Sequence, residues 1–232
     1  MFIEVLASAL FALAQDSGRE DLLTRRIQTP WESHKFSNAF THAMVATNLA
    51  GGIVILNCGG SGSQMTTVAP GDSLRDVLER MRQLRPSLGI DANDRWVNLV
   101  DSKATDLLET RLKHIEIPHP KTNPFGSMDQ VLQSPEFRQR VRLSNMLEWG
   151  SELGFQSMPK PGSQAEADAK AEREAESPLV LDNVTVRQAL NELAVTVGAG
   201  VWIYDENGCQ AVGRHSFRIS FPVRSQIQNR RE

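Results

Sequence analysis

Residues 179–204, LVLDNVTVRQALNELAVTVGAGVWIY, constrain the fold more than any other stretch, because the signals of a strand, a helix and a second strand follow one another there. Leu179 to Leu181 form a short apolar run. Thr185, followed three residues later by Gln188, makes a capping box that satisfies two of the free amides at a helix start. Val186, Ala189, Leu190, Leu193, Ala194 and Val197 then recur at the spacing that places them on one face of a helix with 3.6 residues per turn. That face is expected to be core. Gly198 and Gly200 close the helix, and Val201, Trp202, Ile203 and Tyr204 have the β-branched and aromatic character of a strand.

With its apolar strand, its NVTVRQALNELA helix and its GAGVWIY exit, the stretch resembles the short N-terminal domain shared by secretins and TonB-dependent receptors, where a two-strand, one-helix unit begins in this way. The resemblance implies an α+β unit with no catalytic residues of its own. It also implies a place in a bacterial envelope, where such units dock other proteins or build rings and tethers.

Composition excludes several classes. Among 232 residues, 40% are hydrophobic and 23% charged, which is ordinary for a folded domain and rules out disorder throughout. The net charge of -3 argues against a general nucleic-acid binder, whose phosphate contacts need a basic excess. No nucleic-acid partner is therefore expected.

The N-terminal run FIEVLASALFALAQD has signal-peptide length and ends in Ala12-Leu13-Ala14, a small-residue cleavage pattern. Glu4 and the lack of Lys or Arg in its first residues leave a second reading, an ordinary buried helix. Under the first reading the mature protein is periplasmic or secreted, and under the second it is cytoplasmic. Nothing later in the chain reaches the 18 or so apolar residues of a membrane span. Cys58 and Cys209 allow one disulfide, or two separate thiols; no zinc-ligand spacing is present.

The order helix, glycine, strand recurs earlier. Residues 31–49 read as a helix with Phe36, Ala39, Phe40, Ala43 and Thr47 along one side, Gly51-Gly52 as its stop, and 53–56 (IVIL) as a buried strand. Ala39-Phe40 then takes the place of Ala189-Leu190. A weaker copy spans 65–101: a strand at 65–68, the Pro70-Gly71 turn, and a capping signal at Ser73 and Asp76. A helix carrying Leu74, Val77, Leu78, Met81 and Leu84 follows, then turn residues 91–94 and a strand at 95–100.

Several suggestive features read as structural. The loop CGGSGSQ at 58–64 lacks the Gly-Lys-Ser/Thr ending of a phosphate cradle, and Ser63 stands where a G-x-S-x-G elbow needs glycine. Arg75, Arg80, Arg82 and Arg85 interleave with Asp76 and Glu79, as on a solvated face. His114 and His119 flank the end of a strand at 110–117, whose Leu112, Ile115 and Ile117 break strict alternation, which predicts a twist or bulge; neither histidine has an acidic or cysteine partner at metal-ligand spacing. A proline-containing loop covers 118–126, short helices follow, and Ser134-Pro135 starts a helix expected to run to about Trp149 with Phe137, Val141 and Leu147 inward. Residues 160–178 carry no large apolar side chain and read as a mobile linker, with a solvated helix as the other option. Asp205 to Gly208 is turn chemistry, and 215–223 alternates Phe217, Ile219 and Phe221 as an edge strand.

These readings give an α+β fold of repeated strand–helix–strand units, with helices packed on one face of antiparallel or mixed sheets. The expected layout is a signal peptide at 1–14, two helix–strand units in 15–125, a helical segment at 126–156, a low-complexity linker at 157–178, the secretin/TonB-like unit at 179–223 and a polar tail at 224–232. No catalytic residue, cofactor or metal ligand is assigned. The functional expectation is an exported, non-catalytic module that binds another envelope protein. An enzyme or small-ligand binder with a pocket between units, and a structural ring or tether subunit, stand as alternatives.

Overall fold

A computed structural model of the chain describes residues 21–33, 35–57, 66–148, 163–208 and 215–221. Its centre is a six-stranded mixed sheet in the order β4 (Leu88–Ala92), β5 (Trp96–Asp101), β2 (Ala50–Asn57), β9 (Val201–Asn207), β10 (Ser216–Ser220) and β7 (Leu147–Glu148). Strands β5, β2 and β9 run parallel, β4 and β10 are antiparallel to their inner neighbours, and β7 runs parallel to β10. Two ribbons lie outside this sheet, β1 (Trp31–Ser33) with β3 (Thr66–Val68) and β6 (Arg111–Ile117) with β8 (Leu179–Thr185). The class is α+β, as the sequence predicts.

Helices cover both faces of the sheet, not one. Along β2 and β9 successive side chains point to opposite sides. Ile53, Ile55, Val201 and Ile203 meet helices α1 (Phe36–Thr47) and α2 (Leu74–Leu84) in one core. Ala50, Val54, Trp202 and Tyr204 meet α3 (Pro124–Leu132), α4 (Pro135–Leu143) and α6 (Val186–Thr196) in the other. Each strand is apolar on both sides because each side is covered.

The two clearest helix–strand units stand side by side. Strand β2 follows α1, strand β9 follows α6, and the two strands pair in register, Ile53 opposite Ile203. In each unit a left-handed residue ends the helix, Asn48 at φ 55° and Gly198 at φ 76°. The strand preceding each helix leaves the central sheet, β1 for β3 and β8 for β6, so neither unit forms a closed strand–helix–strand sheet. The packing face is not repeated either, since α1 and α6 lie on opposite sides.

Local signals hold where local bonds decide them. Thr185 and Gln188 exchange both capping-box bonds, and so do Ser73 and Asp76. The predicted α6 face is buried from Val186 to Ala194. A bulge does not occur in 110–117, because the β6–β8 register runs unchanged from one end to the other; the one left-handed residue of the ribbon, Asn183 at φ 52°, is on the partner strand.

Other expectations give way. Residues 31–33 form a strand before α1 begins, because they pair with β3. Gly51-Gly52 does not stop α1 but lies inside β2, for a reason of packing: a Cβ at Gly52 would stand 1.9 Å from Cε2 of Trp202, its cross-strand partner, and one at Gly51 would stand 1.8 Å from the Val97 carbonyl oxygen. Asp91 lies within β4, a strand the sequence reading lacked, and the turn sits at Asn93, whose Oδ1 accepts from the amides of Arg95 and Trp96. Helix α4 ends at Leu143, before the left-handed Asn145, so Leu147 falls in β7 and is half exposed. The Ser134 hydroxyl turns back to the Val131 carbonyl instead of capping α4. Asp205, Glu206 and Asn207 belong to β9, because β10 pairs with them. Residues 164–175 form helix α5 (Gln164–Ala175), capped by Ser163 and rich in Ala, Glu and Lys, which favour helix without burial. This is the solvated helix and not the mobile linker.

Candidate functional site

In open sheets with parallel strands, ligands settle beyond the carboxyl ends of those strands. Here β5 ends in Asp101 and β9 carries Glu206 one residue from its end, both buried. Glu206 Oε2 accepts from the Thr105 amide at 2.9 Å, the Thr105 hydroxyl at 2.9 Å and the Tyr204 hydroxyl at 3.0 Å. Burial first, and the Glu206 charge second, push the Tyr204 phenol far above its ordinary value, so it stays neutral and serves as a donor. Asp101 forms an ion pair through Oδ2 with Arg85 Nη2 at 2.8 Å, without the geometry of a hydrogen bond, and accepts the Lys103 amide on Oδ1 at 3.0 Å. The same guanidinium donates to the Leu56 carbonyl, tying the ends of β2 and β5 together.

A cavity of about 190 Å³ lies against this cluster, lined by Val54, Val100, Thr105, Leu108 and Arg187 among others. Ligand pockets typically enclose about 300–1,000 Å³. Arg187, which could otherwise meet an anion, is held between Asp91 at 3.0 Å and Glu109 at 2.9 Å. The cluster thus joins strand ends, the 106–109 turn and α6 into one body.

A larger recess, an open groove of about 680 Å³, runs between the end of α5 and the loop before α3, past Pro120, Thr122, Glu172, Leu179 and Thr196. At one side of it the Glu176 carboxylate accepts the amides of Lys121 at 2.5 Å and Thr122 at 3.1 Å and the Thr122 hydroxyl at 2.7 Å. Burial pushes the Glu176 carboxyl up, but these donors and nearby His119 pull it further down, leaving it below its ordinary 4.5. The loop forms a notch whose chemistry is that of a carboxylate receptor.

The residues singled out in sequence do not converge on a site. The three arginines of α2 and Arg85 at its C-terminal cap are all paired: Arg75 with Asp21 at 2.6 Å, Arg80 with Asp72, Arg82 with Glu79 at 2.9 Å, and Arg85 with Asp101. His114 Nδ1 meets Asp182 Oδ1 at 2.6 Å on the exposed side of the β6–β8 ribbon, and that carboxylate raises its pKa above 6.5. His119 sits near Glu176 instead. Among the described residues no three His, Cys, Asp or Glu side chains gather as metal ligands would. Cys58, Cys209, the loop 58–64 and the N-terminal run lie outside the described residues. The strand ends nearest the cysteines are neighbours, Asn57 being the register partner of Asn207.

Sequence reasoning missed Glu176 and Glu206. One stood in a polar run and the other in turn-like chemistry, and the capping of a notch by a residue 54 positions away has no local pattern. The chain matches no protein-family model, and comparisons with curated proteins and with solved structures find no match. No helix among the described residues is long and apolar enough to cross a membrane.

Proposed function

We propose that this protein is an exported, non-catalytic interaction module of a bacterial envelope, with a secretin/TonB-like unit at 179–223, and that it docks another envelope protein through the groove beside the 121–122 loop. The observation that carries this reading is the contrast between the two recesses. At the strand ends, where a catalytic pocket would be sought, Glu206 already holds three donors, Asp101 is paired with Arg85, and the cavity is small. The groove is open and larger, and the backbone donors at its side hold a carboxylate, Glu176, supplied from the end of α5. The apolar run ending in Ala12-Leu13-Ala14 supports export.

Affinity capture from envelope extracts of the native host tests this reading. The expected result is a defined envelope protein retained by the wild-type chain and lost with Thr122→Arg, which fills the groove while leaving the sheet untouched. Retention of the same proteins by both chains, or a partner confined to the cytosol, would contradict it.

A further inference from the structure

We infer that the 121–122 notch is a docking site for an acidic peptide segment, and that the chain's own Glu176 occupies it as an internal stand-in until a partner's acidic residue displaces it. The inference rests on the groove reading above and adds to it the chemistry of the partner and a means of regulation.

The occupant defines the chemistry. Three donors converge on one carboxylate, two of them backbone amides that every substitution but proline leaves in place, and hydrogen bonds to an ionised acceptor are about twice as strong as neutral ones. Beyond the carboxylate the chain continues through Ser177 and Pro178 without regular structure, along the groove that Pro120 and Thr196 also border. A short extended stretch, Glu176 to Pro178, with Glu176 as its one acid, is therefore already seated there, supplied in cis.

The hold on that peptide is slight elsewhere. No described side chain of α5 is buried, and the helix is supported by its own bonds, Gln164 to Asp168 at 2.7 Å and Lys170 to Glu174 at 3.8 Å. A helix of this length is marginal in isolation, and none of its described apolar side chains is buried. Strand pairing fixes the chain from Leu179 onward, opposite Ile117, and before that point the Glu176 carboxylate holds the segment to the loop, where a competing carboxylate can take its place. A partner must exceed the effective concentration of the tethered residue, which is of millimolar order for a short connection, so a bare acid competes poorly and a longer acidic segment competes well.

The test uses the full chain, isotope-labelled, as wild type and as Glu176→Ala. Amide resonances of Lys121 and Thr122 are followed while sodium acetate, with sodium chloride as the ionic-strength control, or a synthetic peptide of residues 171–178 is added. In Glu176→Ala both amides should move saturably with acetate and at lower concentration with the peptide. The peptide carrying Glu176→Gln should bind about tenfold more weakly, and the wild-type chain should respond only at about tenfold higher peptide concentration. Absence of a saturable shift in Glu176→Ala, or an equal response of the wild type, would overturn the inference. A response to acetate but not to the peptide would overturn it too, reducing the notch to a small-anion site. Because these probes need no native partner, failure here is distinct from failure of the envelope reading, which the extract experiment measures.

Discussion

Gly52→Val should prevent the chain from folding stably. The indole of Trp202 lies across Gly52, and a Cβ there would meet its ring at 1.9 Å, with no room made by a small shift because Trp202 is fully buried. Its Nε1 also donates to Asn191 Oδ1 on α6 at 2.8 Å, so displacing the ring strands a buried amide. Loss of a buried tryptophan's packing costs about 3–5 kcal/mol and an orphaned buried polar group about 1–3 more. The sum approaches the roughly 5–15 kcal/mol that separates folded from unfolded domains. Urea denaturation of Gly52→Ala and Gly52→Val should show large losses of midpoint, and combining Gly52→Ala with Trp202→Leu should cost less than the two changes added separately. Midpoints like that of wild type would mean that β2 and β9 do not pair in this register.

The second large effect concerns α6. Leu190 is fully buried in the core beneath the central sheet, whereas Glu192 is half-buried and pairs with Arg95 at 2.8 Å. Leu190→Ala should cost about 2–5 kcal/mol. Glu192→Ala should cost at most about 1 kcal/mol, the upper range for a surface ion pair. Equilibrium denaturation of both variants checks the helical phase, and similar small losses would show that the buried face is misassigned.

The helix of this prediction was fully legible in sequence, cap, face and stop, because each signal acts within a few residues. The same holds for α2 and for most buried strand residues. Pairing was not legible. Nothing near Leu179 says that β8 leaves the central sheet to pair with β6, since that depends on Leu112, Ile115 and Ile117 presenting a strand far away in sequence. Gly51-Gly52 reads locally as a helix stop; its actual role is set by Trp202 and Val97 on neighbouring strands. The candidate site was the least legible part. Glu176 looks like one more charge in an Ala- and Glu-rich run, and only the fold brings it to two loop amides that carry no sequence signature.

Joined in this way, the units that looked like separate modules become a single platform, and α5 is the element left loosely attached to it. That contrast is what a docking module with a displaceable internal ligand requires. Hydrogen exchange resolved to individual amides tests it most directly. The account predicts that β2, β5 and β9 exchange last and together, at the free energy of global unfolding, while α5 amides exchange at opening energies near zero. Protection of α5 equal to that of the sheet, or a β9–β10 pair that exchanges independently of β2 and β5, would contradict it.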